Sequence, residues 1–365
     1  MNHGIRRRDR PWFTPGFMPV CLLWMQTATL LILLTAMAAA EQSPIVRAAN
    51  LIRAHQAGDG AIAQDALPAG ATRILPYFAN FAALGLVTAY RHTGDPDYLE
   101  SARRWAGWYA AHQNPDGTVY DYTGAPGAWK PTGDYDSTDS YAATYLTLLL
   151  ALYRASPDPK WLAGRRDSIE KAVKAIKLTL QPIGLTLAKP TYPVMYTMDN
   201  VETAQGLHAA AEIARLLHLA PLREETEPLA RRMETAVAHD LWDPATESYL
   251  IGLQPDGYHA RGFKVWYPDV MANLMAIAWL PESERNRALF ARMKTLFADT
   301  LPEQVAGEQD LEHLDWWGWA AWGAHDTALL KQIQQRLATF DRVQHAFYPA
   351  TLGHLCRLMS FDLHH

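Results

Sequence analysis

Cysteine is almost absent from this sequence, whose 365 residues include two cysteines, Cys21 and Cys356. Cys21 lies in an N-terminal segment that we expect to be removed, which leaves Cys356 alone in the mature chain. A lone thiol forms no intrachain disulfide, so the stability of the folded body must come from its core. Two cysteines also exclude a metal site built from a cysteine cluster.

An excess of basic charge is missing as well. The chain has 33 Lys and Arg against 38 Asp and Glu, a net charge of −5, with both signs mixed along its length. This balance provides no surface for a polyanion, and we expect no nucleic-acid partner. No glycine-rich phosphate loop follows a strand, no G-x-S-x-G motif occurs, and the histidines lack metal-ligand spacing. We therefore expect no cofactor and no bound metal.

The N-terminus has the features of a targeting segment. Four arginines between positions 6 and 10 precede an uncharged stretch, 11–40, which is apolar in its centre and ends in the small-residue run AMAAA. This order is typical of a secretory signal peptide. We predict a signal peptide over 1–40, a single mature domain over 41–365, and a periplasmic or secreted location. If it is not cleaved, the segment would instead tether the protein to a membrane.

Helical periodicity divides the mature chain into twelve segments. The predicted segments are 44–57, 76–92, 96–113, 136–154, 160–182, 199–218, 222–241, 268–280, 283–299, 312–324, 326–340 and 348–362. The link after each odd-numbered segment is long, whereas the link after each even-numbered segment is short, as in Thr93-Gly94-Asp95. Short links form antiparallel hairpins. The long links therefore all lie on one face, where we expect the functional residues.

Two even-numbered segments contain uncharged runs: Tyr141–Leu152 is YAATYLTLLLAL and Val270–Leu280 is VMANLMAIAWL. A helix that is apolar all round is buried all round. Odd-numbered segments, such as LESARRWAGWYAAHQ, keep apolar residues at i, i+3, i+4 spacing and charge elsewhere, as surface helices do. We therefore predict an all-α fold, an (α/α)6 toroid of six helical hairpins with the even helices inside and the odd helices outside.

Two of the long loops have the pattern of small β-hairpins. HQNPDGTVYDY joins the third and fourth segments, and LWDPATESYLIGLQPDGYH joins the seventh and eighth. Each loop combines a Pro-Asp-Gly turn with Tyr-rich extended residues, which predicts short strands beside the turn.

The stretch YFANFAALGLVTAYRHTGDPDYLESARRWAGWYAAHQNPDGTVYDY, residues 77–122, resembles the hairpins of the six-hairpin glycosidases. The resemblance is architectural, extends over residues 44–362, and implies a carbohydrate-active role. The segment GDYDSTDSYAATYLTLLLA also resembles the aspartate-bearing inner helix of family 8 glycosidases. The Glu that opens the first inner helix of that family has no counterpart at 74–80, which argues against a family 8 mechanism.

The candidate binding residues lie where the long loops meet the starts of the inner helices. Six helix N-termini would surround one cavity, and their dipoles favour anions there. The candidates for substrate binding are Tyr77, Asn80, Asp134, Tyr192, Tyr196, Asn200, Trp266, Tyr267, Asp269, Trp317 and Tyr348. Aromatic side chains can stack on the apolar faces of sugar rings, whereas Asp and Asn can hydrogen-bond sugar hydroxyls.

Four carboxyl groups at the starts of the fourth and sixth segments are the catalytic candidates: Asp136, Asp139, Asp199 and Glu202. Glycoside hydrolysis needs one protonated carboxyl and a second that activates water or attacks. We predict Asp136 or Asp139 as general base, because like charges there, with Asp134, spread their pKa values. We predict Glu202 as general acid, because partial burial raises its pKa; a dominant helix dipole would reverse the roles. The alternative for each is a helix cap.

Other groups have plainer interpretations. The acidic residues around the start of the tenth segment are also candidates for the cavity, but we favour their interpretation as a solvated loop. They are Glu308, Asp310, Glu312 and Asp315. Trp316, Trp319 and Trp322 recur every three residues, which is typical of a packed stripe, and Trp317 lies off this stripe, where it can face the cavity. The histidines, including His354, are interpreted as structural.

Three functions fit these observations. The leading hypothesis is an exported, monomeric glycoside hydrolase acting on an oligo- or polysaccharide. The second is a sugar epimerase or polysaccharide lyase on the same toroid, with His or Tyr as the proton-transfer group. The third is a non-catalytic glycan-binding subunit of an envelope or exopolysaccharide assembly. Paired carboxyls at the cavity centre favour the first, a His with a Tyr the second, and an aromatic groove without paired carboxyls the third.

Overall fold

The computed structural model describes residues 43–68, 70–340 and 346–361, and from Pro44 onward the described chain forms one compact unit. The predicted signal peptide over 1–40 and its cleavage site lie outside the described residues. Within the described ranges, every helix is too short or too polar to cross a membrane.

Helices make up most of the described chain. They are α1 (Pro44–Ala54), α2 (Pro76–Thr93), α3 (Pro96–Ala111), α4 (Thr138–Ala155), α5 (Pro159–Ala163), α6 (Arg166–Thr179), α7 (Thr197–Leu216), α8 (Ala220–Asp240), α9 (Met271–Trp279), α10 (Glu284–Leu296), α11 (Glu308–Gly323), α12 (Thr327–Leu337) and α13 (Pro349–Met359). A short turn at Trp266–Val270, in which the backbone of Tyr267 is extended, leads directly into α9, and a 3-10 turn at Ala298–Thr300 follows α10. All twelve predicted segments are present, and the fifth is divided into α5 and α6.

The helices form two concentric rings. The inner helices contact one another in the closed order α2, α4, α7, α9, α11, α13 and back to α2. Outer helices pack between inner neighbours: α1 contacts α2 and α13, α3 contacts α2 and α4, and α12 contacts α11 and α13. The (α/α)6 toroid predicted from the sequence is therefore confirmed, and the two uncharged runs lie in the inner ring.

Burial follows the charge pattern of each helix. In the inner helix α4, Leu146 and Leu149 are fully buried. In the outer helix α6, Ile169 and Val173 lie on one buried face, whereas Lys174 is exposed. Each large apolar side chain that is fully buried contributes about 1.5–3 kcal/mol, so the inner ring is the main source of stability.

Small residues let the inner helices approach one another closely. A Cβ added to Gly206 of α7 would lie 2.4 Å from the Cα of Ala143 in α4. A Cβ added to Gly85 of α2 would lie 2.6 Å from the Cα of Gly353 in α13. Side chains do not fit at such distances, so glycine is required where these backbones touch.

Eight short strands lie in the long loops of the described chain. They are β1 (Thr72–Ile74), β2 (Tyr122–Gly124), β3 (Lys130–Pro131), β4 (Met195–Tyr196), β5 (Trp242–Asp243), β6 (Ser248–Tyr249), β7 (Gly252–Leu253) and β8 (His259–Ala260). All pairings are antiparallel, in the orders β1-β2-β3, β4-β7-β8 and β5-β6. The strands predicted between the seventh and eighth segments are present, with the Pro-Asp-Gly turn between β7 and β8.

The hairpin predicted within 112–122 is wrong. Its Pro-Asp-Gly turn forms, but the Asp116 carboxylate accepts hydrogen bonds from the backbone N–H and the hydroxyl of Thr118, at 3.0 and 2.7 Å. The Asn114 amide also donates to the Thr118 hydroxyl, at 2.9 Å. These side-chain bonds, together with the Asn114 N–H, which donates to the Thr118 carbonyl at 2.8 Å, close the turn locally. The strand β2 begins only at Tyr122.

Candidate functional site

A cavity of about 570 Å³ lies at the N-terminal ends of the inner helices. The start of every inner helix contributes to its lining. The lining includes Tyr77, Phe78 and Phe81 at α2; Ser137, Ser140 and Tyr141 at α4; Met198 and Asp199 at α7; Tyr267, Met271 and Met275 at α9; Glu308, Glu312, Asp315 and Trp316 at α11; and Tyr348, Ala350, Thr351 and His354 at α13. Loop residues Arg73, Asp121, Asp134, Tyr135, Asp136 and Lys189 complete one side. The cavity is therefore on the long-loop face.

The first acidic group, which we call the α4–α7 group, comprises Asp136, Asp139, Asp199 and Glu202. Asp136 and Asp199 line the cavity. Asp139 does not, because it is fully buried and its Oδ1 accepts hydrogen bonds from the Ser137 hydroxyl (2.6 Å) and the Ser140 N–H (2.9 Å). Ser137 is itself the N-cap of α4. The placement of Asp139 therefore supports the cap alternative rather than a general base.

Glu202 is also buried and is not part of the lining. The phenol of Tyr77, which does line the cavity, donates a hydrogen bond of 2.6 Å to Glu202 Oε1. The predicted general acid is therefore separated from the cavity by one side chain, that of Tyr77.

Burial dominates the electrostatics of the α4–α7 group. Burial raises the pKa of Glu202 from 4.5 to about 8 and that of Asp139 to about 6. Burial, followed by repulsion from Asp139 and Glu202, raises the pKa of Asp199 well above its usual range. A helix dipole favours a carboxylate by at most about 2 kcal/mol. The shift at Glu202 corresponds to about 5 kcal/mol, so burial outweighs the dipole here.

The second acidic group, which we call the α11 group, comprises Glu308, Glu312 and Asp315. The Tyr348 N–H and the Thr351 hydroxyl donate to Glu308, at 3.0 and 2.9 Å. The indole N–H of Trp266 donates to Glu312 Oε2 at 3.2 Å. Burial raises the pKa of Glu308 to about 7 and also raises the pKa of Glu312.

The interpretation of this acidic run as a solvated loop is wrong. Helix α11 begins at Glu308, four residues before the predicted start, so Glu308, Glu312 and Asp315 share one helical face that points into the cavity. Asp310 lies outside the lining, and its carboxylate accepts from the Ala306 N–H at 2.9 Å, just before the helix.

The two acidic groups approach the cavity from different sides of the ring. In the order of inner helices, α4 is opposite α11, and α9 separates α7 from α11. The phenol of Tyr267 lines the same cavity, and its pKa is raised by burial and then by the charges of Asp136 and Asp199 on one side and of Glu312 on the other.

Asp121 also lines the cavity, although it belongs to neither acidic group and no sequence pattern indicated it. The Tyr141 phenol donates to Asp121 Oδ1 at 2.8 Å, and Arg73 lies 3.6 Å from its Oδ2. Burial raises the pKa of Asp121 to about 6 against both of these partners. The Tyr141 ring also stacks on Tyr77, with centroids 6.1 Å apart, so the phenols and acids of this side form one connected wall.

The structure places some of the aromatic residues predicted to bind substrate in the cavity lining and others outside it. Tyr77, Tyr267 and Tyr348 line the cavity. Tyr192 and Tyr196 are outside the lining, with their phenol oxygens 3.0 Å apart. The predicted Asp134 is at the rim, where it accepts from Lys189 at 2.8 Å.

The prediction that Trp317 faces the cavity is wrong: it is 1% exposed, packs against Phe290 and donates to the Thr300 hydroxyl at 3.1 Å. Trp316 is buried against Trp279 and His354, as the packed stripe predicts, and it also lines the cavity. Trp266 lies just outside the lining, stacked on His313 and bonded to Glu312.

Three polar residues predicted to bind substrate bind the protein instead. Asn80 accepts from the Trp105 indole at 2.9 Å and donates to Thr144 at 2.9 Å. Asn200 accepts from the Thr186 N–H at 2.7 Å and donates to the Thr186 carbonyl at 3.0 Å. The third, Asp269, accepts from two backbone N–H groups in the preceding loop. All three are buried with their hydrogen bonds made, so they do not reach a substrate.

Within the described ranges, no set of three or more His, Cys, Asp or Glu side chains is arranged to hold a metal ion.

No protein-family model and no curated protein sequence matches the chain. Solved structures do match. The mannosylglycerate hydrolase of glycoside hydrolase family 63 from Thermus thermophilus, in complex with glucose, superposes with a TM-score of 0.63 at 12% identity, over 87% of this chain and 99% of that one. The family 76 α-1,6-mannanase of a Salegentibacter species gives 0.57 at 11% identity, over 87% and 97%.

A further protein, described as a glycosidase, gives a TM-score of 0.59 at 15% identity, over 87% of this chain and 94% of that one. The chain shares the (α/α)6 toroid fold of these structures. At such low identity the likeness establishes the fold alone, and the function of this six-hairpin chain has to be argued from the chemistry of its cavity.

Proposed function

We propose that this six-hairpin chain is a glycoside hydrolase that binds an oligosaccharide in the toroid cavity and cleaves it with two carboxyl groups. One observation carries the proposal. Asp199 of α7 and Glu312 of α11 line the same cavity, and the phenol of Tyr267 lies within electrostatic reach of both. Because α9 separates the two helices, a sugar chain between them has one carboxyl on each side, as glycoside hydrolysis requires.

Asp199 is the proposed general acid. It lines the cavity, and burial and the neighbouring Asp139 and Glu202 raise its pKa well above the usual range. A carboxyl that keeps its proton near neutral pH can donate it to a departing glycosidic oxygen. This role moves by one helical turn from the predicted Glu202 to the residue that reaches the cavity.

Glu312 is the proposed general base. Its Oε2 accepts from the Trp266 indole, while Oε1 has no hydrogen-bond partner among the described residues and is available to a water molecule. Glu308, by contrast, uses both carboxylate oxygens on the Tyr348 N–H and the Thr351 hydroxyl. Burial raises the pKa of Glu312, but the donor at Trp266 opposes this rise and so favours the ionised form that a base needs.

The proposed pair predicts the stereochemical outcome. Carboxyl groups on non-adjacent helices leave room for a water molecule on the far side of the sugar ring. Separations of roughly 6.5–9.5 Å are typical of inverting enzymes. We therefore expect the first product to have the anomeric configuration opposite to that of the substrate, which proton NMR of a fresh reaction detects.

The alternative with His or Tyr as the proton-transfer group finds less support. The phenols of Tyr77 and Tyr141 donate to Glu202 and Asp121. His354 lies in the lining, but its pKa is lowered well below 6.5 by burial. The lining offers carboxyl groups from two sides instead.

The test is hydrolysis of neutral oligosaccharides. Two neighbours of the same fold are a mannosylglycerate hydrolase and an α-1,6-mannanase, the latter also seen with α-1,6-mannotriose. We propose α-linked mannosides and glucosides as the first substrates, with release of reducing sugar as the measurement. Asp199→Asn and Glu312→Ala should each reduce turnover by on the order of 10²-fold or more. Added azide should restore turnover of Glu312→Ala, because the removed side chain leaves space for a nucleophile.

A matched control is Glu212→Gln, at the far end of the same helix as Asp199, where Glu212 pairs with Arg154 outside the cavity. This variant should keep full activity. Full activity in Asp199→Asn and Glu312→Ala would rule out this pair as the catalytic carboxyls.

We also propose that the protein acts outside the cytoplasm. The basic residues, the apolar run and the AMAAA sequence before residue 41 support this proposal. Mass spectrometry of the protein recovered from its native host should give a mature N-terminus near Glu41. An intact N-terminus in the membrane fraction would instead indicate a tether.

A further inference from the structure

Asp315 is a buried carboxyl without hydrogen-bond partners. It is fully buried, it lines the cavity, and neither of its carboxylate oxygens has a partner among the described residues. Buried polar groups in folded proteins are nearly always hydrogen-bonded, so an exception requires an explanation. Its position on the cavity lining suggests that the missing partner comes from outside the chain.

Asp315 lies deep in the cavity. It follows Glu308 by seven residues on the same face of α11, which is about 10 Å further along the helix axis. The residues that line the cavity around it also come from the second or third turns of their helices: Phe81, Met275, Trp316 and His354. We call these five residues the cavity floor.

His354 supplies a donor on the cavity floor. The Trp319 indole N–H donates to His354 Nδ1 at 2.9 Å, so Nδ1 is an acceptor and the neutral ring carries its proton on Nε2. Nε2 has no hydrogen-bond partner among the described residues. Burial, and then the charge of Arg357, lower the pKa of His354 well below its usual value, which keeps the ring in this neutral form.

The remaining floor residues are apolar surfaces. The His354 ring packs against Phe81 on one side, with centroids 4.4 Å apart, and against Trp316 on another, at 5.0 Å. The floor therefore combines an unpartnered carboxyl, an unpartnered N–H donor and aromatic rings. A pyranose ring has the matching properties, with hydroxyls at its edge and C–H groups on its faces.

We infer that the cavity floor is the deepest sugar subsite, in which Asp315 and His354 bind hydroxyls of the terminal sugar ring while Trp316 and Phe81 contact its apolar faces. This inference rests on the proposed function, which supplies the sugar as the ligand. It adds that the terminal ring of the sugar chain is the part bound at the cavity floor. A ring held at the floor has the rest of the oligosaccharide above it, toward Asp199 and Glu312, so the protein acts on chain ends.

The protonation state of Asp315 suits this role. Burial, and then repulsion from Glu308 and Glu312, raise its pKa well above the usual range. A neutral carboxyl both donates and accepts, and a sugar hydroxyl also does both. One Asp315 side chain can therefore make two hydrogen bonds to neighbouring hydroxyls.

A pair of matched variants tests the inference. Asp315→Leu removes the unpartnered carboxyl without a large change in volume. If Asp315 serves a ligand, this variant should have a melting temperature higher by roughly 2 °C or more, yet bind a monosaccharide at least roughly 10-fold more weakly. Asp139→Leu is the control, because Asp139 is equally buried but accepts hydrogen bonds from Ser137 and Ser140. It should lower the melting temperature.

Binding is measured by calorimetric titration of methyl α-D-mannopyranoside and methyl α-D-glucopyranoside into the full mature protein. Asp315→Asn, which keeps one acceptor and a donor, should recover part of the affinity. Unchanged affinity in Asp315→Leu, or no binding of either glycoside to the parent protein, would overturn the inference.

These outcomes are separable from those of the proposed function. Asp199→Asn should still bind the monosaccharide glycosides while losing hydrolysis. Binding that depends on Asp315 in a protein that hydrolyses no glycoside would support the subsite and refute the hydrolase. Hydrolysis by a protein whose monosaccharide binding does not depend on Asp315 would support the hydrolase and refute the subsite.

Discussion

Glu202 provides a direct test of the electrostatics of the α4–α7 group. Its carboxyl is 4% exposed and its pKa is raised by burial from 4.5 to about 8, while the Tyr77 phenol partly opposes this shift. A difference of this size corresponds to at most about 5 kcal/mol of folding free energy. Glu202→Gln removes the titration and keeps an acceptor for the Tyr77 phenol.

The direction follows from the sign of the shift. A carboxyl whose pKa is higher in the folded than in the unfolded state binds its proton more tightly when folded. Its contribution to stability is therefore full below pH 4.5 and is lost as the pH rises to about 8. We expect the parent protein to lose stability between about pH 5 and pH 8, and Glu202→Gln to lose several kcal/mol less, within the limit of about 5 kcal/mol.

Chemical denaturation at half-unit pH intervals from about pH 5 to pH 9 measures this difference. Glu224→Gln, at an exposed position on the outer helix α8, is the matched control and should follow the parent protein throughout. Tyr77→Phe removes the donor that favours ionised Glu202 and should extend the loss of stability to higher pH, because the Glu202 pKa rises further. If Glu202→Gln shows the same pH dependence as the parent protein, Glu202 does not carry the raised pKa and the account of this group is wrong.

Three further predictions concern the inner ring and the cavity wall. Gly206→Val should lower the free energy of unfolding by about 3 kcal/mol or more in a denaturant titration, because the added Cβ overlaps the backbone of α4. Asn200→Ala should lower it by about 1–3 kcal/mol, because the Thr186 N–H loses its buried acceptor; a smaller loss would mean that water replaces the amide. Tyr141→Phe should raise the Asp121 pKa above about 6, since the phenol donor is removed, and carboxyl NMR titration would show no change if that hydrogen bond is absent.

The toroid was predictable because its pattern is repeated along the whole mature chain. The uncharged runs in α4 and α9 and the one-sided outer helices each report burial directly, and the alternation of long and short links places the loops on one face. The structure departs from this pattern mainly at ends of helices. Gly164 and Arg165 divide the fifth segment into α5 and α6, and the Pro-Asp-Gly turn after α3 closes through its own side chains.

The α4–α7 side of the site was also accessible from the sequence. Asp136, Asp199 and Tyr77 stand at the starts of strongly apolar helices, where carboxyls and phenols are hard to explain otherwise. The sequence did not indicate how deeply each of these side chains is buried. Asp139 and Glu202 lie within one turn of these residues, and only packing decides that they are buried while Asp199 reaches the cavity.

The α11 side was given the weaker interpretation because of one boundary. With the helix predicted to start at 312, Glu308 belongs to a loop, and only Glu312 and Asp315 are left to share a face. With the start at Glu308, Glu312 and Asp315 follow at i+4 and i+7, which is the spacing of a single helical face. This spacing was the available signal. No spacing pattern pointed to Asp121. It directly precedes the strand β2 in a long loop, and only tertiary contacts bring it to the cavity.

The buried asparagines show why residue type alone misassigns polar groups at helix starts. Asn200 binds both backbone groups of Thr186, and Asn273 of α9 accepts from the N–H of Tyr249 at 2.8 Å in the same manner. A side-chain amide can donate to the carbonyl and accept from the N–H of one loop residue, as a neighbouring backbone would. In this way each asparagine attaches a long loop to its inner helix. A carboxyl cannot both donate and accept unless it is protonated, which separates these structural amides from the acids of the cavity.

The acids within each of the two groups are electrostatically coupled. Ionisation of Glu308 or Glu312 raises the pKa of Asp315, and ionisation of Asp139 or Glu202 raises the pKa of Asp199. The pH dependence of activity therefore belongs to these coupled groups and not to single residues. A substrate that expels water from the cavity strengthens this coupling, so the acid should keep its proton most firmly when a sugar is bound, which is the state in which the proton is needed.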